Sequence, residues 1–426
     1  MKLNYPMASL LPAAIWIGVS ALSAPGQTAA PTVITPPSNI ASPGDTGLRA
    51  HTNLQMLASP PLNAAPTSVG PPVTGSLYQT PASLACIYEL QPQTPGCDPN
   101  VVTLNPAGGS RAIAVVDAYD DPNVYEDLQN FSTQFGVAAI TPSTFQVVYA
   151  PAGGTTPGSC SGAATEPPSA ASTGWDLEES LGVEYAHAMA PLAKLYLVEA
   201  QSNSNSDLYC AVSVANRLVA AAGGGEISMS WGTAEYSAET SADAIFTKPN
   251  VVYFSGTGDG PGLIYPAASL HVVAVGGTSL SASSASGTFI SESTWQYGGG
   301  GASAYEPKPS YQYGIAGITG NRRQTPDVAA DANPFTGVWV LDTLVSGPGT
   351  WYAVGGTSLA APLLAGIVNA AGNFAASSAA ELTTIYTNAG FTDIKTGNCG
   401  PYMGTFAKTG WDACTGLGSP KGYSGK

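Results

Sequence analysis

The chain has 426 residues, enough to bury a large hydrophobic core in one large domain or two modest ones. Only 10% of the residues are charged, and 28 acidic residues against 13 basic ones give a net charge of -15. A negatively charged surface repels nucleic acids and anionic membranes, which argues against both as partners.

The N-terminus has the composition of a secretory signal. Lys2 precedes an apolar stretch over residues 7–19, which Pro12 interrupts, and small residues follow at 21, 23 and 24. This order predicts a signal peptide over residues 1–24 and a secreted or periplasmic protein that leaves the membrane once the signal is removed. An uncleaved anchor helix is the alternative, although the stretch is short for one.

Six cysteines fit an exported protein that forms disulfides. Cys86 with Cys97, and Cys399 with Cys414, bracket two short loops. Cys160 and Cys210 then remain and could pair by elimination, although six cysteines allow 15 connectivities. The three histidines lie far apart and no C-x-x-C pair occurs, so the sequence contains no zinc motif.

Residues 25–105 are expected to form a leader with a disulfide loop. The part before Tyr78 is rich in Pro, Ala, Ser and Thr and has no apolar periodicity, which is typical of a linker.

The remaining residues, 106–426, alternate between predicted strands and helices. A buried-type strand over residues 112–116 ends at Asp117, and a helix from Asp121 through residue 135 follows. A second helix is predicted over residues 174–189, with Thr173 and Asp176 as a capping box. Further strands are predicted at residues 194–199, 226–230, 251–254 and 272–275, and further helices at 208–222 and 357–371.

Continuous apolar strands that alternate with helices predict an α/β fold with a parallel sheet covered by helices on both faces. Asp117, the S-W-G segment at 230–232 and Asp259 each follow a predicted strand. Active sites in such sheets lie at the carboxyl ends of the strands, so these groups are expected at one edge.

The segment G-G-T-S-L-A-A-P at 355–362 is the strongest candidate for catalytic chemistry. Its glycines allow a tight turn, and Ser358 then lies at the start of a helix, where free N–H groups favour developing negative charge. An acyl-transfer nucleophile needs this environment. An ordinary serine N-cap would have the same local sequence.

Several motifs together resemble the sedolisin (serine-carboxyl peptidase) family of the subtilisin-like clan. The G-T-S-x-A-A-P segment is similar to the family's nucleophile segment, and the run W-D-L-E-E-S-L-G-V-E-Y-A-H-A-M-A-P at 175–191 resembles its helix with a glutamate base. The likeness continues in S-W-G at 230–232, S-G-T-G-D-G at 255–260, Y-P-A at 265–267, V-G-G-T at 275–278 and P-D-V at 326–328. It runs from about residue 112 to 420 and implies a subtilisin-like, doubly wound parallel sheet.

The resemblance implies an acid-active endopeptidase, a monomer that acts on protein or peptide substrates. In its register Ser358 is the nucleophile, Glu178 the general base and Asp259 a protonated donor to the oxyanion. A carboxylate base suits acid, where an imidazole would already be charged.

The resemblance also implies one structural calcium ion. The segments D-I at 393–394 and G-W-D at 410–412 resemble the family's calcium loop. The expected ligands are the carboxylates of Asp393 and Asp412 and the backbone oxygens of Ile394, Lys408 and Gly410. A loop that the disulfide alone holds together is the alternative.

The chain departs from the family at two points. The family places an aspartate four residues after the glutamate, where this chain has Gly182. Asp117 could orient Glu178 instead, or the protein is a catalytically impaired homologue that binds peptides. The family also carries a folded pro-domain, for which the residues before 112 are too few and too irregular.

Two other functions fit parts of the sequence. A subtilisin-like triad would use Asp117, His187 and Ser358, but His187 lies on the same helix as Glu178 and has no neighbouring Gly-Thr. A secreted peptide-binding or surface protein without catalysis is the other alternative.

Overall fold

The computed structural model describes residues 31–58, 70–90, 97–101, 105–400 and 405–426. The predicted signal peptide lies outside the described residues. Within the described part the α-helices are α1 Pro81–Ile87, α2 Val124–Phe135, α3 Asp176–Met189, α4 Asn205–Ala221, α5 Thr357–Ala371 and α6 Ser378–Thr387. Short 3-10 helices lie at Pro37–Asn39, Ala170–Ser172, Glu239–Phe246 and Ser310–Gln312.

The strands of the described part are numbered in chain order. The first twelve are β1 Thr32–Ile34, β2 His51–Thr52, β3 Gln55–Ala58, β4 Ala112–Ala118, β5 Phe145–Tyr149, β6 Ala152–Gly153, β7 Cys160–Ser161, β8 Lys194–Ala200, β9 Gly225–Met229, β10 Trp231–Ala234, β11 Val251–Gly256 and β12 Ile264–Tyr265. The others are β13 Val273–Ala282, β14 Phe289–Thr294, β15 Gly301–Pro307, β16 Arg322–Thr325, β17 Val328–Asp331, β18 Val338–Leu341, β19 Trp351–Gly355, β20 Phe391–Thr392, β21 Asn398–Cys399, β22 Thr405–Phe406 and β23 Ser419–Pro420.

An eight-stranded sheet forms the centre of the fold. Its path runs β14-β13-β11-β9-β4-β8-β5, and β17 also pairs with β13. All of these pairings are parallel except that of β14 with β13. The predicted parallel sheet is therefore confirmed, with one antiparallel strand at its edge.

Helices cover both faces of this sheet, because alternate residues of each strand point to opposite sides. In β4, Ile113 and Val115 join the core that contains α2, α3 and α5, whereas Ala114 and Val116 join the core that contains α4. The same alternation turns Asp117 toward α3 and α5.

The predicted elements agree with the structure to within three residues at their ends, apart from the strand predicted at 272–275, which extends over residues 273–282. The predicted capping box is wrong. Helix α3 begins after Trp175, and its N-cap receives no side-chain hydrogen bond. Thr173 Oγ1 instead accepts a hydrogen bond from Trp175 N at 3.2 Å and donates one to Ala170 O at 2.7 Å. The threonine therefore stabilises the turn before the helix.

The predicted linker also differs from the structure. Residues 31–58 form β1, β2 and β3 and pair with strands far along the chain, since β2 is antiparallel to β10 and β3 to β19. We call residues 32–58 the N-terminal strap. The structure forms three disulfides, Cys86–Cys97, Cys160–Cys210 and Cys399–Cys414.

Candidate active site

The sharp turn between β19 and α5 positions Ser358. Gly356 has φ +101°, and a Cβ there would lie 2.0 Å from Asn53 O and 2.7 Å from Asp259 Oδ2, so only glycine fits. Ser358 is the second residue of α5 and is buried. Its backbone N–H belongs to the first turn, where no intrahelical acceptor exists.

A proline inside α5 ties the nucleophile to a neighbouring strand. Pro362 has no N–H, so the carbonyl of Ser358, four residues earlier, loses its helical partner. The hydroxyl of Ser230 donates to that carbonyl oxygen at 3.0 Å. Ser230 O in turn lies 3.1 Å from Ser358 Oγ and is a second acceptor within reach of the hydroxyl. The S-W-G segment therefore contacts Ser358 through both its side chain and its backbone.

Glu178 lies in the first turn of α3 with its carboxyl group against the serine hydroxyl. Ser358 Oγ donates to Glu178 Oε2 at 2.8 Å, and both residues are fully buried. Burial, followed by repulsion from Asp117, raises the pKa of Glu178 well above its usual range. The hydrogen bond from Ser358 opposes this shift, because it favours the carboxylate.

Asp117 and Gly182 lie side by side behind Glu178. A Cβ at Gly182 would lie 3.7 Å from Asp117 Oδ2, so a side chain at 182 would contact this carboxyl group. The same Cβ would lie 2.7 Å from Val115 Cγ1. The sequence offered no packing reason for this helical glycine, and the close approach of Val115 supplies one. Burial raises the pKa of Asp117 well above its usual range, and neither of its oxygens has a hydrogen-bond partner in the described part of the chain.

Asp259 lies beside Thr357, at the N-terminus of α5. Its Oδ1 accepts hydrogen bonds from Thr357 N at 2.8 Å and from Thr357 Oγ1 at 3.1 Å. Although the residue is partly exposed, desolvation of its carboxyl group raises the pKa of Asp259 to about 8. The group is therefore protonated in acid. Oδ2, to which Asn39 Nδ2 donates a long hydrogen bond of 3.5 Å, is the oxygen that can carry the proton.

His187 of the alternative triad and Trp231 of the S-W-G segment both have structural partners. His187 Nε2 lies 2.7 Å from Ala138 O, with which it shares a hydrogen bond, and burial lowers the pKa of His187. The hydroxyl of Ser358 contacts Glu178 instead, so a triad through His187 is wrong. Trp231 is buried and its indole N–H donates to Val116 O at 2.6 Å. Its side chain therefore links β10 to β4.

Three buried carboxyl groups that the sequence did not predict as a site lie together in the structure. Asp121, Asp127 and Asp342 each bring one carboxyl oxygen within 4.8 Å of the other two. Burial raises the pKa values of these residues to about 8, 6 and 7 respectively. Their oxygens accept backbone N–H bonds from Asn123, Thr343 and Leu344. No sequence motif marks the group, because its members come from separate segments.

Hydrogen bonds join the two segments that are expected to bind calcium, at Asp393 and at residues 408–412. Asp412 is buried and accepts N–H bonds from Lys408, Cys414 and Thr415, while Asp393 Oδ2 accepts one from Gly410 at 3.1 Å. Each carboxylate keeps further lone pairs, and carboxylate and carbonyl oxygens are the ligands that calcium prefers. The donor set therefore fits a calcium ion.

Asn53 of the strap also contacts the nucleophile, which the sequence analysis did not anticipate. Ser358 N donates to Asn53 O at 3.0 Å, and Asn53 N lies 3.0 Å from Ser358 Oγ. The only sequence signal is the short, mostly apolar run over residues 54–58 between two Pro-rich stretches.

Comparison with curated proteins identifies three relatives. Sedolisin of Pseudomonas sp. (strain 101) is 27% identical over 358 residues, which cover 74% of this chain and 57% of that protein. Kumamolisin of Bacillus sp. (strain MN-32) is 34% identical over 298 residues, which cover 61% of this chain and 52% of that protein. Xanthomonalisin of Xanthomonas sp. (strain T-22) is 36% identical over 180 residues, 36% of this chain and 21% of that protein. The chain thus spans little more than half the length of the first two. No protein-family model matches the chain.

Comparison with solved structures gives the same family resemblance. Pseudomonas sedolisin, described as a serine-carboxyl proteinase complexed with two molecules of pseudo-iodotyrostatin, superposes with a TM-score of 0.62 at 26% identity, over 80% of this chain and 95% of that one. Sphericase superposes with a TM-score of 0.50 at 20% identity, over 81% of this chain and 99% of that one, which supports the fold alone. These comparisons support the sedolisin family and the subtilisin-like fold for this chain.

Proposed function

We propose that this protein is a secreted or periplasmic serine-carboxyl endopeptidase that hydrolyses peptide bonds of protein or peptide substrates in acid. The single observation that carries the proposal is the 2.8 Å hydrogen bond from Ser358 Oγ to Glu178 Oε2. A hydroxyl that donates to a buried carboxyl group at a helix start has its base already in place.

Each group then has a defined task. Ser358 Oγ attacks the substrate carbonyl, and its proton passes to the ionised form of Glu178, so the rate falls toward low pH as Glu178 gains a proton. The backbone N–H of Ser358 and the protonated carboxyl group of Asp259 donate to the oxyanion, and the loss of one such donor typically costs about 3 kcal/mol. Glu178 returns the proton to the leaving amine, and water then cleaves the ester.

Asp117 is proposed as the positioning residue that replaces the family's missing aspartate. Val115 occupies the space beside Gly182, and Asp117 Oδ2 borders the same space. Two buried carboxyl groups so close together favour a state in which one of them is protonated. A protonated Asp117 can then stabilise the negative charge on Glu178.

Calcium is proposed as a structural ion, held by Asp393, Asp412 and the carbonyl oxygens of Ile394, Lys408 and Gly410. The ion would neutralise the two carboxylates and fix the loop against the C-terminal strands. The catalytic groups do not need it for any step.

The test is hydrolysis of a casein-type substrate from pH 2 to 8 by the natural protein, Ser358→Ala and Glu178→Gln. We expect acid activity that both substitutions reduce by at least about 10³-fold. Equal activity of the natural protein and Ser358→Ala would contradict the proposal.

A second function deserves the same measurement because Gly182 stands where the family has aspartate. An impaired homologue would bind peptides without turnover. Peptide binding by the natural protein, with no Ser358-dependent product at any pH, would favour that function. The described residues contain no helix of the length and hydropathy needed to cross a membrane.

A further inference from the structure

Two aspartates contact the first turn of α3 from the side opposite to its catalytic glutamate. An α-helix turns by about 100° per residue, so residues 176 and 180 share one face and Glu178, halfway between them, projects from the other. Asp176 shares a hydrogen bond with the carboxyl group of Asp342. Ser180 Oγ donates to Asp121 Oδ2 at 3.5 Å. The turn that carries the base is therefore held from behind at two points.

Asp121 and Asp342 belong to one group of buried carboxyl groups. Together with Asp127, each brings one carboxyl oxygen within 4.8 Å of the other two, and Asp342 also meets Asp176. All four residues are buried. We call residues 121, 127, 176 and 342 the carboxyl joint.

The carboxyl joint connects three elements of the fold. Asp127 lies in α2 and Asp176 begins α3. Asp342 begins the turn between β18 and β19, and β19 leads to Ser358. Asp127 accepts hydrogen bonds from Thr343 N at 2.8 Å and from Thr343 Oγ1 at 3.0 Å, which fix this turn against α2. The joint therefore links the helix of the base to the hairpin that precedes the nucleophile.

No positive charge balances the carboxyl joint. Among the described residues no Lys, Arg or His forms an ion pair with any of its members. The other titratable groups that face it are all acidic, namely Glu126 of α2, Glu179 and Glu184 of α3, Glu199 of β8 and Tyr352 of β19. Ionised carboxylates at such short distances would repel one another strongly in a buried site.

The joint therefore depends on shared protons. Burial is the main reason why the pKa of Asp342 rises to about 7, and repulsion and the hydrogen bond from Asp176 raise it further. The same hydrogen bond lowers the pKa of Asp176, so Asp342 is the donor and Asp176 the acceptor. Burial also raises the pKa of Asp121 to about 8, so the joint keeps its protons in acid.

We propose that Asp342 is a positioning residue for the reaction, because through the carboxyl joint it holds the first turn of α3 where Glu178 can contact Ser358. The inference rests on the proposed function, since it concerns the same base and nucleophile. If this hold is lost, Glu178 loses the hydrogen bond from Ser358 that favours its carboxylate. The pKa of Glu178 then rises further, and a larger fraction of the base is protonated at a given acid pH.

The experiment measures kcat and KM on one peptide substrate from pH 2 to 8 for the natural protein, Asp342→Ala and Asp342→Asn. In Asp342→Ala we expect kcat to fall by about 10- to 100-fold with KM nearly constant, because the base is misplaced. The acid limb of kcat should move to higher pH by about 0.5 units or more.

Asp342→Asn is the conservative variant. Its amide N–H can donate to Asp176, and its oxygen can accept the hydrogen bond that Leu344 N donates to Asp342 Oδ1 at 2.9 Å. We expect kcat within about threefold of the natural value and an unmoved acid limb. A loss of kcat as large as that of Asp342→Ala would overturn the inference.

Glu381→Ala is the matched control, because it removes a buried carboxyl group from α6 instead of the joint. It should lower stability without moving the acid limb. A fall of kcat in Asp342→Ala with an unmoved acid limb would show a structural role only and would overturn the inference. If Asp342→Ala does not fold, Asp342→Ser replaces it, since a serine hydroxyl can still accept from Leu344 N.

A second measurement does not need turnover and separates the inference from the proposed function. In the Ser358→Ala background, amide hydrogen exchange over α3 should be at least about tenfold faster with Asp342→Ala, and unchanged with Asp342→Asn or Glu381→Ala. Ser358-dependent turnover on which Asp342→Ala has no effect would overturn the inference and leave the peptidase function intact. If the natural protein shows no turnover, the proposed function fails. Exchange over α3 then decides the inference, and equal exchange in Asp342→Ala would overturn it.

Discussion

Asp259 shows how one titratable residue can set the upper pH limit of the proposed reaction. Both hydrogen bonds from Thr357 go to Oδ1, so Oδ2 can hold the proton that the oxyanion requires. With a pKa of about 8, the donor is present in acid and is lost as the pH rises through that value.

The substitution Asp259→Asn tests this role. An asparagine can keep Oδ1 as the acceptor from Thr357 and offers an amide N–H that does not titrate. We expect kcat to stay within about tenfold of the natural value in acid, with the alkaline fall moved to higher pH. Asp259→Ala should instead lower kcat by about 10²- to 10³-fold.

The measurement is kcat against pH for the natural protein and both variants. An unchanged alkaline limb in Asp259→Asn would show that another group controls it. Ser358→Ala provides the background rate for all three.

Helix α3 carries Glu178, the proposed base, and also Gly182, where the chain departs from the sedolisin pattern. Gly182 lies one turn after Glu178 and packs against Val115, so the aspartate of the family has no room in this helix. A side chain at 182 alone would overpack the contact between α3 and β4, which typically costs about 1–3 kcal/mol.

A double substitution separates an impaired enzyme from one that uses Asp117. In Val115→Ala with Gly182→Asp, the smaller residue admits the new carboxyl group beside Asp117. We expect kcat to stay within a few-fold of the matched Val115→Ala control, because Asp117 already occupies the orienting position. A rise of 100-fold or more would show that the natural chain lacks its orienting group. The free energy of unfolding, measured for both in the Ser358→Ala background, checks that the helix is intact.

Sequence patterns predicted the helices and strands from residue 112 onward better than those of the N-terminal strap. Helix α5 matches its predicted range, because a continuous apolar segment follows the glycine turn. The proximity of Glu178 to Ser358 agrees with what the family resemblance implied, while their chemical roles remain predictions. Strands β1, β2 and β3 were missed because they are short, and because β2 and β3 are stabilised by partners some 180 to 300 residues later, which no local pattern encodes.

Only the predicted position of Asp117 in the sheet indicated that it would lie near Glu178. The end of β4 marked Asp117 as a residue at the carboxyl edge, and side-chain alternation along the strand turns it toward α3. The packing of Val115 against Gly182 was not predictable, since it depends on the distance between a helix and a strand rather than on either sequence.

The whole molecule carries an unusual number of buried carboxyl groups for its few basic partners. Burial raises the pKa of Glu226 to about 8, that of Glu292 to about 7 and that of Glu381 to about 7, in addition to the aspartates near the active site. Each group is protonated in the folded protein at pH values where the unfolded chain, with an ordinary pKa near 4.5, has already lost the proton.

Stability should therefore fall as the pH rises. Between about pH 4 and pH 8 the folded state binds more protons than the unfolded state, so the free energy of unfolding decreases with pH. This contribution is fully present below pH 4 and is lost as the pH passes through the folded-state values of about 7 to 8. For a fully buried group such as Glu226 the loss is on the order of a few kcal/mol.

Thermal and denaturant unfolding of Ser358→Ala at pH 4, 6 and 8 measures this trend without self-digestion. We expect the midpoints to decrease steadily from pH 4 to pH 8. Glu226→Gln is the matched control, because its amide oxygen can accept the 2.6 Å hydrogen bond that Asn369 donates to Glu226, and it cannot ionise. The slope of stability against pH should be smaller in this variant, and equal slopes, or midpoints that rise with pH, would contradict the assignment of buried neutral carboxyl groups. A protein that is more stable with its carboxyl groups protonated is suited to the conditions in which Asp259 can donate, so the same titrations would limit both fold and activity to acid.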